Sequence, residues 1–250
     1  MAFGKVRTFI TASLTALALA GCGGAGSSDG TKEQAVINKV TAPAGKAWSD
    51  VAAVSADGGL VIGNPEAPIK VIEFASLTCG GCAAFSADSG EELKKDFIDT
   101  GRVSFEVRHF LRNPIDLLAA STVQCAPVDR QYPLISNIFA NQAELFAGAE
   151  KGGEAAQAAM SNQADPQRFV KAAEALGISA MFQSRGMAAD QVKSCLGNVA
   201  GVEKLVADNN KWLETFEISG TPTFVINGQV AEGLLAWTAL RDRLRTMGAR

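Results

Sequence analysis

Hydrophobic and polar positions fall into three blocks of different period along the chain. In the first, residues 51–113, the stretch IKVIEFAS is a nearly unbroken β-branched and aromatic run of strand length, the pattern of a buried central strand. Ahead of it VAAV and GLVIG read as short strands or loop, and NPEAP as a turn edged by prolines. Behind it AAFSADSGEELKKDFID places Phe85, Leu93, Phe97 and Ile98 at broadly helical spacing, and GRVSFEVRHF alternates Val103, Phe105 and Val107 as a second strand. If the helix is a crossover, the two strands run parallel and form a β-α-β unit.

The second block, residues 114–218, is helical almost throughout. PIDLLAASTVQCA opens on Pro114, and LISNIFANQAELF puts Leu134, Ile138, Leu145 and Phe146 on one stripe. DPQRFVKAAEALG offers Asp165 as N-cap, Pro166 in the first turn and Gly177 as the stop. AADQVKSCLG and VEKLVADNNKWLETFE follow, the latter with Val202, Leu205, Val206, Leu213 and Phe216. The third block, residues 219–250, returns to strands: Thr223 to Ile226, an Asn227-Gly228 turn, a return strand from Gln229, then an amphipathic helix in LLAWTALRDRLRTM. The order is β-α-β, helices, β-β-α, an α/β chain with a large helical insertion.

The amino end follows none of these periods. Residues 1–21 read as an export leader, with Lys5 and Arg7 before an apolar run too short for a comfortable membrane span. Leu19-Ala20-Gly21-Cys22 resembles a bacterial lipobox, which implies lipidation of Cys22; an ordinary secretory signal with an incidental cysteine is the alternative. Residues 22–50, with GGAGSSDGTKEQAV directly after Cys22, read as a flexible tether; about twenty such residues reach roughly 25 Å as a coil. Trp48 within it has no assigned role.

Composition narrows the function classes. The 250 residues suffice for a sizeable core, and a net charge of -3 gives no electrostatic case for nucleic acid. The single histidine, His109, argues against His-based zinc hydrolases and reads as structural, while Trp212 and Trp237 read as packing. Five cysteines are an awkward number for an exported protein, but setting Cys22 aside leaves two pairs. Cys125 and Cys195, both near helix ends, read as a second disulfide, structural by default, with modulation of the first pair as the alternative. Cys79 and Cys82, in TCGGC at the first strand-helix corner, could be a metal clasp, a staple or a pair that trades electrons. Thiolates suit copper(I), so a metal-handling protein stands as the alternative; a four-thiolate zinc site needs all four cysteines to converge, and a second CxxC is absent.

VIGNPEAPIKVIEFASLTCGGC, with Glu73 six residues before the first cysteine, and GTPTFVING together carry a resemblance to the thioredoxin fold. With the helices between them the chain, over about residues 55–248, resembles the DsbA family of bacterial periplasmic thiol-disulfide oxidoreductases. The resemblance implies that Cys79 is the exposed nucleophile, with its thiolate favoured at a helix mouth, and Cys82 the buried resolving thiol. It implies a cis bond before Pro222, facing the pair, with Thr221 free to meet substrate backbone. It also places Glu73 beneath the site, where a buried carboxyl can ferry the proton of Cys82. No cofactor is implied. The implied partners are exported proteins with cysteines and a membrane protein that resets the pair, for a monomer held at the periplasmic side of the cell envelope through Cys22. Gly80-Gly81 replaces the proline and histidine common in DsbA oxidases, which implies a less acidic Cys79 and a less oxidising pair. Thr221 resembles some isomerases and reductases, so oxidation, reduction and isomerisation all stand as directions.

Overall fold

A computed structural model describes residues 35–250; the leader, Cys22 and the first part of the tether lie outside the described residues. The strands are β1 (Ala52–Val54), β2 (Leu60–Gly63), β3 (Ile69–Ala75), β4 (Val103–His109), β5 (Thr223–Ile226) and β6 (Gln229–Val230). They form one mixed sheet in the order β1-β2-β4-β3-β5-β6. The helices are α1 (Gly80–Glu92), α2 (Pro114–Gln124), α3 (Val128–Ala140), α4 (Gln142–Ser161), α5 (Arg168–Ala175), α6 (Ile178–Ser184), α7 (Ala189–Gly197), α8 (Val199–Phe216) and α9 (Trp237–Thr246). This is a thioredoxin-like fold carrying a helical insertion.

The unbroken apolar run is β3, at the centre of the sheet, parallel to β4 and antiparallel to β5. Alternation sends Val71, Glu73 and Ala75 to one face and Ile72 and Phe74 to the other. On the first face the Phe85 ring of α1 meets Phe224 at 4.7 Å, and Trp237 of α9 stands edge-on to Phe97 at 5.5 Å. On the second, Phe74 and Val225 pack with Trp212 of α8 and with Ile218. Asn227 and Gly228 both take positive φ, 49° and 83°, as a tight hairpin turn of this hand requires.

Several boundaries differ from the sequence pattern. The helix after the cysteines breaks at Gly90 (φ 4°, ψ -101°) and continues as a π-helical turn over Leu93–Ile98, which still buries Leu93, Phe97 and Ile98. The stripe through Leu134 and Phe146 is cut at Asn141, where α3 ends and α4 begins, so Phe146 is exposed. Asp165 does not cap α5: the helix starts at Arg168 behind Gln167, whose N–H the Asp165 carboxylate accepts at 2.8 Å.

The tether reading is corrected for residues 37–50. Ile37 N–H donates to the Gly248 carbonyl and Val40 N–H to Thr100, both at 2.9 Å. Buried Arg102 donates Nε–H to Ile37, and Trp48 is buried with its Nε1–H on the Val40 carbonyl at 2.8 Å. Gly101 has φ 71°, and a Cβ there would lie 2.6 Å from that same carbonyl, so glycine permits the strap to lie close. The small polar composition that suggests a coil ends before Trp48, whose indole supplies apolar area for docking.

Cys125 and Cys195 are bonded to each other, with Cα atoms 6.0 Å apart and a sequence separation of 70, tying the end of α2 to α7. Replacing both by serine is expected to cost on the order of 2–4 kcal/mol, read as a lowered urea midpoint relative to the oxidised wild type.

Candidate active site

The chain leaves β3 at Ala75, makes a turn from Ser76 to Cys79 closed by a Cys79 N–H to Ser76 carbonyl bond of 3.0 Å, and enters α1. Cys79 is the N-cap residue, so its side chain lies at the helix mouth, where the first N–H groups lack partners within the helix. Cys82 lies one turn inside. Both are free thiols, near each other and unbonded. Cys82 is 0 % exposed, and Cys79, which the resemblance would leave exposed, is only 6 % exposed. What narrows the opening is the loop before β5: the Cys79 thiol donates to the Thr221 carbonyl at 3.3 Å, and the Thr221–Pro222 bond is cis. A Cβ on Gly81 would stand 3.1 Å from Pro222 Cδ and 3.7 Å from Cys79 Sγ, whereas one on Gly80 would meet nothing. The second glycine thus admits the proline; the first faces open space.

The two thiols are unlike. Burial alone pushes the Cys79 thiol up, but hydrogen bonding from the Thr221 side chain, from the Cys82 N–H and thiol and from the Gly81 N–H outweighs it and holds Cys79 below the ordinary thiol value. Burial, then the charges of Glu73 and Cys79, push Cys82 far above it. Glu73 lies on the α1 side of the sheet, 3 % exposed, with Oε1 lacking any hydrogen-bond partner. Burial, then repulsion from Cys79, raises its carboxyl from 4.5 to about 8. The site therefore combines an acidic thiol, a thiol that keeps its proton, and a carboxyl able to hold one at neutral pH.

Residues that the sequence pattern did not single out frame the turn. Asp116, in the first turn of α2, is 1 % exposed and accepts from Thr78 N–H at 2.9 Å, Ser76 Oγ at 3.0 Å, Thr78 Oγ1 at 3.1 Å and Arg112 N–H at 3.0 Å. Asn113, the N-cap of α2, accepts from Asp116 N–H and donates to Thr78 Oγ1 at 2.9 Å. Gln142, the first residue of α4, donates through Nε2 to the carbonyls of Leu77 at 2.8 Å and Cys79 at 3.0 Å. The signal for Asp116 was present in Asn113-Pro114-Ile115-Asp116, a helix start with an acid in its first turn. Gln142 carried no signal, because nothing local marks which distant turn a helix start will meet.

The other candidates lie elsewhere. His109, at the end of β4, is buried, which pushes its imidazole down to about 4, and it lines a separate cavity of about 240 Å³ with Trp212. Among the described residues no group of three or more His, Cys, Asp or Glu side chains is placed to hold a metal ion, and Cys125 and Cys195 are bonded to each other.

A family model described as thioredoxin matches residues 55–245. The crystal structure of a protein-disulfide isomerase from Novosphingobium aromaticivorans is 30% identical and superposes with a TM-score of 0.68, covering 74% of this chain and 94% of that one. Alpha-DsbA1 of Wolbachia pipientis, 20% identical over 75% of this chain and 89% of its own, shares the fold with a TM-score of 0.57. A Rickettsia conorii protein named "Putative protein-disulfide oxidoreductase" is 27% identical over 69% of this chain and 54% of its own length. The chain thus spans about half the length of the curated relatives it matches.

Two measurements check this electrostatic picture. In the reduced protein, iodoacetamide is expected to modify Cys79 with a pH midpoint below that of free cysteine and to leave Cys82 unmodified until the fold is lost. A carboxyl raised on folding binds more protons folded than unfolded between 4.5 and about 8, so it costs stability as pH rises through that window. Glu73→Gln removes this cost: relative to wild type its unfolding free energy should gain on the order of 4 kcal/mol from the bottom to the top of the window.

Proposed function

The chain belongs to the thioredoxin family, DsbA-like in its fold, and from that membership we propose that it is a cell-envelope thiol-disulfide oxidoreductase working through Cys79 and Cys82. The observation that carries this is the pair at the mouth of α1: an acidic Cys79 under the Thr221–Pro222 loop, with a proton-retaining Cys82 one turn deeper.

From the dithiol form, the Cys79 thiolate attacks one sulfur of a substrate disulfide. A bond forms between Cys79 Sγ and that sulfur, and the second substrate sulfur leaves as a thiolate that takes a proton from solvent. Cys82 then gives its proton to Glu73 in its carboxylate form and attacks Cys79 Sγ. The mixed disulfide breaks, the first substrate sulfur leaves as a thiolate, and two electrons have passed from the pair to the substrate. Read backwards, the same steps oxidise a substrate dithiol, with Glu73 returning the proton to Cys82. The Thr221 carbonyl, already within reach of Cys79, offers the last backbone group beside the reacting sulfurs, suited to an extended substrate strand.

The substrates under this reading are exported proteins carrying cysteines, and a membrane redox protein resets the pair. The Cys79–Cys82 couple itself carries the electrons. Attachment through a lipid on Cys22 belongs to the same proposal; among the described residues no helix is long and apolar enough to cross a membrane. The halves that carry the chemistry are residues 51–113 and 219–250, with residues 114–218 as the inserted helical part.

Turnover of insulin disulfides in the presence of a small thiol tests the proposal. Wild type is expected to accelerate reduction, Cys79→Ser to abolish it, and Cys82→Ser to accumulate a covalent adduct through Cys79, visible by mass. Acceleration that survives in Cys79→Ser would sink the assignment.

A further inference from the structure

We propose that Gln142 is a positioning residue for Cys79, the amide half of a two-sided grip on the Ser76–Cys79 turn whose other half is Asp116. The inference deepens the oxidoreductase reading and rests on Cys79 being its nucleophile.

The turn offers two kinds of polar group, and each is met by the matching chemistry. Its donors, Thr78 N–H, Thr78 Oγ1 and Ser76 Oγ, point to the buried Asp116 carboxylate. Its acceptors, the Leu77 and Cys79 carbonyls, receive the Gln142 amide. A primary amide has two N–H bonds, and these two contacts employ both. Both gripping side chains come from the helical insertion, at the first turns of α2 and α4, and none from the strand-bearing halves.

The Cys79 carbonyl is the important contact. It also accepts the Ala83 N–H at 3.1 Å, the bond that opens α1, so Gln142 holds the peptide group from which the helix starts. The orientation of that peptide sets where Sγ stands relative to the Gly81 and Cys82 N–H groups. Without the amide, the Leu77 carbonyl loses its side-chain donor, the turn is held on the Asp116 side alone, and Sγ is free to move off those donors. Cys79 then becomes a weaker acid and its dithiol form less favoured. A residue that merely stabilised the fold would not change either property.

The test uses the full chain as wild type, Gln142→Met, which keeps the length and loses both donors, and Gln142→Glu, which turns a carboxylate toward the two carbonyls. Position 142 is half-buried at a helix start, so both variants are expected to fold, as near-ultraviolet circular dichroism will show. Three quantities are read: melting temperature, the pH midpoint of Cys79 alkylation, and the glutathione equilibrium of the pair. In Gln142→Met the midpoint should rise, with alkylation on the acidic side slowed about threefold. The glutathione equilibrium should move about threefold toward the disulfide, and both effects should be larger in Gln142→Glu. If midpoint and equilibrium stay at wild-type values in both variants, whatever the melting temperature does, the proposal is overturned. Failure of the oxidoreductase reading looks different: wild type itself would neither turn over insulin nor titrate below free cysteine.

Discussion

Two negative charges cannot both be comfortable beneath the mouth of α1, and the site is organised around that fact. Cys79 and Glu73 face the same poorly solvated space, and each disfavours ionisation of the other. The sulfur has the better claim, because the Thr221 side chain and the Cys82 and Gly81 N–H groups bond to it. The Glu73 carboxyl has no donor for Oε1 and keeps its proton to unusually high pH. Cys82, beside both, is left as a thiol. Three ionisable groups thus have three different affinities for protons, set by a helix start, a strand register and the loop before β5, in a chain with only one histidine, and that one elsewhere.

Much of this was legible in the residues. β3 was visible as a continuous apolar run because a strand covered on both faces needs no polar alternation, and the Asn227-Gly228 turn because few other residues accept its backbone angles. Glu73 was visible through the resemblance, as the acid six residues before Cys79. The degree of closure around Cys79 was not, since it depends on the approach of a loop about 140 residues away in sequence. Helix limits at Gly90, Asn141 and Arg168 were missed for another reason: apolar spacing continues across a break when both sides pack on the same core. Trp48 was misfiled with its polar neighbours, because an isolated indole gives no period from which to infer its contact with Val40.

The helical insertion has more than a covering role. Its two sequence-remote helix starts meet the Ser76–Cys79 turn, the Cys125–Cys195 bond ties the end of α2 to α7, and α2 packs against α8. The split thioredoxin halves supply the sulfurs, the proline and the buried carboxyl, while the insertion supplies side chains that complete the hydrogen bonding of the turn. A glycine dipeptide between the cysteines suits such an arrangement. Asp116 and Gln142 bond to the residues that lead into that dipeptide, from Ser76 to Cys79.

The strap of residues 37–50 lies against Thr100 and Gly248, beside the first residues of β3 and β4, while Cys79 follows the last residue of β3. Seven residues of extended strand separate these two ends, about 23 Å. The strap therefore joins the fold at the pole opposite the sulfur, and its docking leaves the mouth of α1 uncovered by it.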